Sequence, residues 1–178
     1  KKDKESNLDY IDKWIRMVAT NRLTGHSSGF FSVYTFPPNQ AISAESQIKI
    51  NEKRKQIPEY RNTTEIIMKK SKQLIKGLSP TEILNLKNAS KKALYLNKAS
   101  DKTNEIRSNS VSLVVTSPPF LDIVQYKDDN WLRCWFNGID AEAIGKNITM
   151  AKTLEIWSSE MKKVLVELKR VLKKDGVI

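Results

Sequence analysis

The sequence predicts an α/β protein whose sheet is incomplete within these 178 residues and is preceded by a basic helical segment. Three observations lead there. Residues 1–92 read as a basic, mainly helical segment, with three consecutive helical patterns and no matching strands. Residues 93–178 instead place short apolar runs before and after helices, the order of an open α/β sheet. The charge is divided in the same sense. Lys and Arg outnumber Asp and Glu by 21 to 11 over residues 1–110, and by only 10 to 9 over the remainder.

The elements follow in chain order. Leu8, Ile11, Ile15, Val18 and Ala19 recur at helical spacing, so a helix is expected over about 8–22, with Asn7 as its cap. Gly25 to Gly29 breaks it. Phe30 to Phe36 is aromatic and β-branched, and Pro37-Pro38 closes it, which predicts a short extended piece. Residues 43–55 read as a helix opening at Ser43 and ending in Lys53-Arg54-Lys55. Asn62 and Glu65 predict a capping box for a helix over 63–76, stopped by Gly77. Ser79-Pro80-Thr81-Glu82 is a start signal of cap, proline and acid, for a helix running to about Lys92.

The pattern then changes. Ala93-Leu94-Tyr95-Leu96 and Val111-Ser112-Leu113-Val114-Val115 have the size of buried parallel strands. Asp128, Asp129 and Asn130 can cap a helix through Trp131 to Phe136, ended by Gly138, with Trp131, Trp135 and Phe136 expected in the core. Leu154, Trp157, Met161, Val164, Leu165, Leu168, Val171 and Leu172 trace a long amphipathic helix. Lys173 and Lys174 are expected at its negative end, Gly176 stops it, and Val177 opens the next strand. Both ends of the chain look cut, so the sheet is expected to be completed by further sequence or by a second chain.

Composition narrows the function. No apolar run reaches the roughly 18 residues of a membrane helix, and no signal-peptide pattern opens the chain. Cys134 is the one cysteine, so no internal disulfide is possible and a reducing cytoplasm is the default location. His26 is the one histidine, which argues against a zinc site. The net charge of +11, concentrated in the first 110 residues, suggests a polyanion contact beside a nearly neutral working part. A set of solvated helix faces gives the same charge.

The informative place is the end of the apolar run 111–115. Ligands of open α/β sheets sit beyond the carboxyl ends of strands, where this chain has Thr116-Ser117-Pro118-Pro119-Phe120. Pro-Pro alone is a common turn, and Pro37-Pro38 shows how readily it arises. A serine before it, an aromatic after it and a buried strand ahead of it make a more specific pattern. Ser-Pro-Pro-Phe in this setting resembles the catalytic motif of the DNA amino-methyltransferases, which methylate the exocyclic amine of cytosine or adenine. The resemblance extends over 109–177, through the Trp-bearing helix to Glu-Leu-Lys-Arg-Val-Leu-Lys-Lys-Asp-Gly. There Lys174-Asp175-Gly176 stands where the family has Pro-Gly-Gly, and Asp-Gly serves the same turn. Asn21 to His26 and onward to Asn39-Gln40 is similar to one branch of these enzymes.

What the resemblance implies is a Rossmann-like S-adenosylmethionine methyltransferase core, acting on double-stranded DNA and expected in restriction–modification or DNA modification. An exocyclic amine is a poor nucleophile because its lone pair is delocalised into the ring. Two acceptors on its protons hold it closer to tetrahedral, and Ser117 Oγ and the Pro118 carbonyl are expected in that role. Pro118 and Pro119 fix φ and offer no N–H, so the loop presents carbonyls from a stiff frame. Phe120 is expected to stack on a base flipped out of the duplex.

Two departures from the family pattern matter. The glycine-rich Phe-x-Gly-x-Gly cofactor loop is missing from the chain; its expected place is upstream of residue 1, which the resemblance of the first 40 residues favours, or beyond residue 178 if the order is permuted. Ser117 with Phe120 replaces the commoner Asp with Tyr, which favours cytosine-N4 over adenine-N6 as the target. An RNA or protein-glutamine amino-methyltransferase is the near rival, and it usually carries Asn where Ser117 stands. A non-catalytic DNA-binding fragment is the rival from another class. Asp101 follows the first short run, where the family often places a residue near the cofactor's adenine; an ordinary loop aspartate fits as well. Arg22, Lys53, Arg54 and Lys55 are candidates for the DNA backbone, and His26 for a phosphate. The basic cluster reads equally as a solvated helix face, and a lone loop histidine is more often merely exposed. Cys134 has no proline before it and lies inside a helix, which argues against the cysteine nucleophile of cytosine-C5 chemistry.

Overall fold

A computed structural model describes residues 8–25, 27–32, 43–57, 59–119, 126–148 and 150–178. Among them are eight helices and two strands, in two compact units. One unit comprises Lys1–Ser79 with Gln125–Ile148, and the other Pro80–Val124 with Thr149–Ile178. The division thus differs from a single boundary after residue 92. Within the first unit Asn137, late in sequence, is bonded to Arg16 and Thr20.

In the first unit, α1 (Tyr10–Thr20) opens on a capping box. Asp9 accepts from the Ile11 and Asp12 amides at 2.7 and 2.9 Å, and Asp12 accepts the Asp9 amide at 3.2 Å. The reciprocal pair at i and i+3 makes Asp9 the cap instead of the expected Asn7, which lies outside the described residues. Val18 and Ala19 are buried on its inner face. Arg16 donates to Asn137 Oδ1 at 2.6 Å and to its carbonyl at 2.8 Å, and Asn137 Nδ2 donates to Thr20 Oγ1 at 3.1 Å. Trp14 Nε1 donates to Ser71 Oγ on α3 (Thr63–Ile75) at 2.9 Å, joining two helices far apart in sequence. Between them runs α2 (Ala44–Lys53), capped by Ser43 as expected. Asn62 caps α3, although Glu65 reaches the Asn62 side-chain amide and not its backbone. Gly77, at φ +83°, follows the end of α3, a conformation that favours glycine.

After α1 the chain folds back through 22–32. Phe31 donates to the Arg22 carbonyl, Ser32 to Leu23 and Gly25 to Ser32. A side chain at Gly25 would meet the Phe30 ring at 2.5 Å, so glycine is required there for space. Of the extended piece expected over 30–36, only Phe30, Phe31 and Ser32 are described. The unit is completed by α5 (Tyr126–Asp129), α6 (Trp131–Phe136) and α7 (Ala141–Gly145). Asp128 and Asp129 lie inside α5, and Asn130 makes no side-chain cap for α6. Trp135 is 71% exposed and Phe136 39%, so the expected core face is not built. A helix of six residues does not extend far enough to gather partners around both rings.

The second unit begins with α4 (Pro80–Ser90), which buries no residue. The strand expected at Ala93–Leu96 does not form, and Leu94 and Tyr95 are exposed. Its backbone has no neighbouring strand to pair with, and a strand exists only through such pairing. The sheet described has two parallel strands, β1 (Val111–Leu113) and β2 (Leu172–Val177), joined through α8 (Leu154–Val171). A mixed α/β unit with a parallel pair is thus present; the Rossmann-like core remains an expectation from the resemblance.

The register explains how α8 turns into β2. Val111 pairs with Leu172 and Leu113 with Val177, so four residues of β2 stand against one of β1. Lys173 to Gly176 are that bulge, not the end of the helix, because Leu172 is already extended. A side chain on Gly176 would come within 3.0 Å of the Val111 carbonyl and 2.6 Å of Leu172 Cδ2, which is why the bulge closes on glycine. Asn109 and Ser110 donate their amides to the carbonyls of Arg170 and Val171, so the approach to β1 satisfies the last turn of α8. No described helix is long and apolar enough to cross a membrane.

Candidate functional site

β1 delivers the proline motif to solvent. The ladder continues one residue past β1, where the Val114 amide donates to the Val177 carbonyl at 2.9 Å. Thr116, Ser117, Pro118 and Pro119 follow at once, and all four are exposed. Pro118 and Pro119 have no N–H, so these two residues can be hydrogen-bonded only through their carbonyls. One such bond is made: Trp157 Nε1 on α8 donates to the Pro119 carbonyl at 2.9 Å. Neither the Ser117 hydroxyl nor the Pro118 carbonyl is taken by another described residue. Phe120 lies outside the described residues.

Beside the motif lies an open groove of about 500 Å³, lined by Pro118 and by Trp157, Met161, Leu165, Lys162 and Lys169 of α8. Its surface is largely apolar. Trp157 is half-buried and is both the wall of the groove and the anchor of the loop. Sequence reasoning counted Trp157 only as one apolar position of an amphipathic helix. The signal that could have found it is the pair of prolines itself, which requires a donor from elsewhere.

At the other end of α8 a second cluster is built from residues the sequence did not single out. Glu167 is 9% exposed and accepts from the Thr103 amide and hydroxyl, both at 2.7 Å. Arg170 donates to the same carboxylate from Nε at 2.8 Å and from a terminal nitrogen at 2.7 Å. It also reaches Ser108 Oγ and the Thr103 carbonyl, each at 3.0 Å. The Arg170 guanidinium first, and then the Thr103 hydroxyl and amide, hold the Glu167 carboxyl far below the usual range. The Glu167 carboxylate in turn pushes the Arg170 guanidinium further up. These groups latch the loop before β1 onto α8. Their bonds are made mainly with one another.

The remaining candidates fall in different places. Asp101 is half-buried in a turn of the second unit, and its charge helps raise the Lys163 ammonium, after the larger effect of Glu160. The strand that would have set Asp101 at a sheet edge is not formed. Arg22 is half-buried with its guanidinium 4.2 Å from the centre of the Phe30 ring, a cation–π contact, and its Nε has no hydrogen-bond partner among the described residues. Lys53, Arg54 and Lys55 are exposed around the end of α2, with Lys55 in the left-handed region at φ 51°. His26 lies outside the described residues. Cys134 is a half-buried thiol within α6.

S-adenosylmethionine meets a poor fit among the described residues. The groove beside Pro118 is walled by apolar and lysine side chains and has no carboxylate to receive ribose hydroxyls. The chain has no Gly-x-Gly to let a backbone approach the cofactor closely, and Asp101 stands in the field of Lys163. No family model matches the chain, and neither a curated protein nor a solved structure matches it.

Proposed function

We propose that this chain is the target-base part of an S-adenosylmethionine-dependent DNA amino-methyltransferase, with cytosine as the favoured base. The observation that supports it is the exposed Ser117-Pro118-Pro119 directly beyond the carboxyl end of a parallel strand. Two acceptors there, Ser117 Oγ and the Pro118 carbonyl, have no competing partner among the described residues, as holding an amine requires. The loop's stiffness comes from its prolines and its anchor from Trp157. When bound, the cofactor would supply the methyl group. The role of this chain is to receive the flipped base, orient its amine and keep its protons hydrogen-bonded.

Double-stranded DNA as partner is supported by the excess of positive charge over residues 1–110 and by the exposed Lys53-Arg54-Lys55. A cytoplasmic location accords with the single cysteine and with a DNA substrate.

The test is methylation of unmodified duplex DNA by the full-length protein that carries this chain, with labelled S-adenosylmethionine and the product nucleoside identified by mass. N4-methylcytosine is expected. N6-methyladenine keeps the class and overturns the base. No methylated base, together with retained DNA binding, favours the non-catalytic rival.

A further inference from the structure

We propose that Trp157 is a positioning residue of the proline motif, acting through the Pro119 carbonyl; this rests on the function proposed above. Residues 118 and 119 carry no N–H, so no backbone ladder can continue past Val114 and Val115 to hold them. Two rigid φ angles stiffen the loop but do not aim it. Its direction relative to α8 is set by a hydrogen bond from outside, and Trp157 Nε1 supplies it at 2.9 Å.

The choice of carbonyl has a consequence. The indole takes the Pro119 oxygen and leaves the Pro118 oxygen and Ser117 Oγ to face a substrate amine. A tryptophan has one polar atom, a donor, so it cannot compete for those protons as a hydroxyl or amide would. Its ring meanwhile forms the wall of the groove against which Pro118 rests. Anchor and wall are thus one side chain, carried on a helix whose far end is latched by Glu167 and Arg170.

The test removes the N–H and keeps an aromatic ring. Trp157→Phe is compared with wild type and with Ile156→Ala, a substitution of the exposed neighbour on α8, in the full-length protein. Amide exchange at Val114, the last hydrogen-bonded amide before the loop, should rise about fivefold in Trp157→Phe, the size of one net hydrogen bond lost, and should not change in Ile156→Ala. Single-turnover methylation should fall by about 10- to 100-fold with the KM for DNA unchanged. In a Ser117→Ala background the same change should cost almost nothing more, because both act on one amine. Unchanged exchange at Val114 in Trp157→Phe overturns the anchor, whatever the protein methylates. Raised exchange with an unchanged rate, in a wild type that methylates, overturns the positioning role while leaving the methyltransferase standing. A wild type that methylates nothing removes both the function and the positioning role. A melting curve for each variant separates these outcomes from loss of fold.

Discussion

The two ends of α8 are tied down in opposite ways. Near its carboxyl end, Glu167 and Arg170 share six hydrogen bonds with each other and with Thr103 and Ser108, and Glu167 is nearly buried. At its amino end one bond, from Trp157 to Pro119, holds a loop that is otherwise exposed. The first arrangement engages both Glu167 oxygens and all three Arg170 nitrogens within the cluster. The second leaves two acceptors and an apolar wall uncommitted. In a marginally stable chain the closed network is a place for stability, and the lightly anchored loop is a place for a ligand. The difference separates two clusters that a count of polar residues would rank the other way.

The largest effect that could break this comparison is on rate. In the full-length protein, Ser117→Ala should lower single-turnover methylation by about 10²–10³, as loss of one placed partner in a transition state does. DNA binding and the melting midpoint should stay near wild type. A wild-type rate in Ser117→Ala would mean that the amino end of α8 anchors only a turn.

The next effect should fall on stability alone. Glu167→Gln keeps the shape but removes the charge that Arg170 and Thr103 surround, and should lower the melting midpoint by a few degrees. pH sharpens the same point. Because the folded carboxyl titrates below its ordinary value, its contribution is complete above the usual glutamate range and is lost as pH falls below it. The difference in midpoint between wild type and Glu167→Gln should therefore be largest near neutrality and shrink on acidification. A gap that widens in acid would show that the carboxyl is not held ionised.

The smallest effect on either end of α8 should come from the other unit. Changing Lys53, Arg54 and Lys55 together to Gln should leave both melting and the rate at saturating DNA unaltered. Its readout is DNA affinity measured from about 50 to 200 mM salt, where the logarithmic slope should fall by up to about 3 for three phosphate contacts. An unaltered slope would make these residues a solvated helix end.

Sequence by itself determined what is local. Ser43 and Asn62 cap the helices they were expected to cap, because a short polar side chain and the amide it accepts lie within three residues. The run at 111–113 forms a strand, and the proline motif follows it into solvent, because proline cannot continue a ladder. Even the shift of the first cap from Asn7 to Asp9 was written in the Asp9–Asp12 spacing.

Tertiary structure decided what depends on a partner distant in sequence. Ala93 to Leu96 has the composition of a strand and lacks a neighbour, so it is not one. Asn137 joins the first helix only because Arg16 and Thr20 reach it. Lys173 to Gly176 become a bulge and not a helix end because Leu172 and Val177 both find β1. Trp157 is an apolar position in any helical wheel. It acquires a role only where α8 passes the carbonyl of a proline pair that has no N–H of its own.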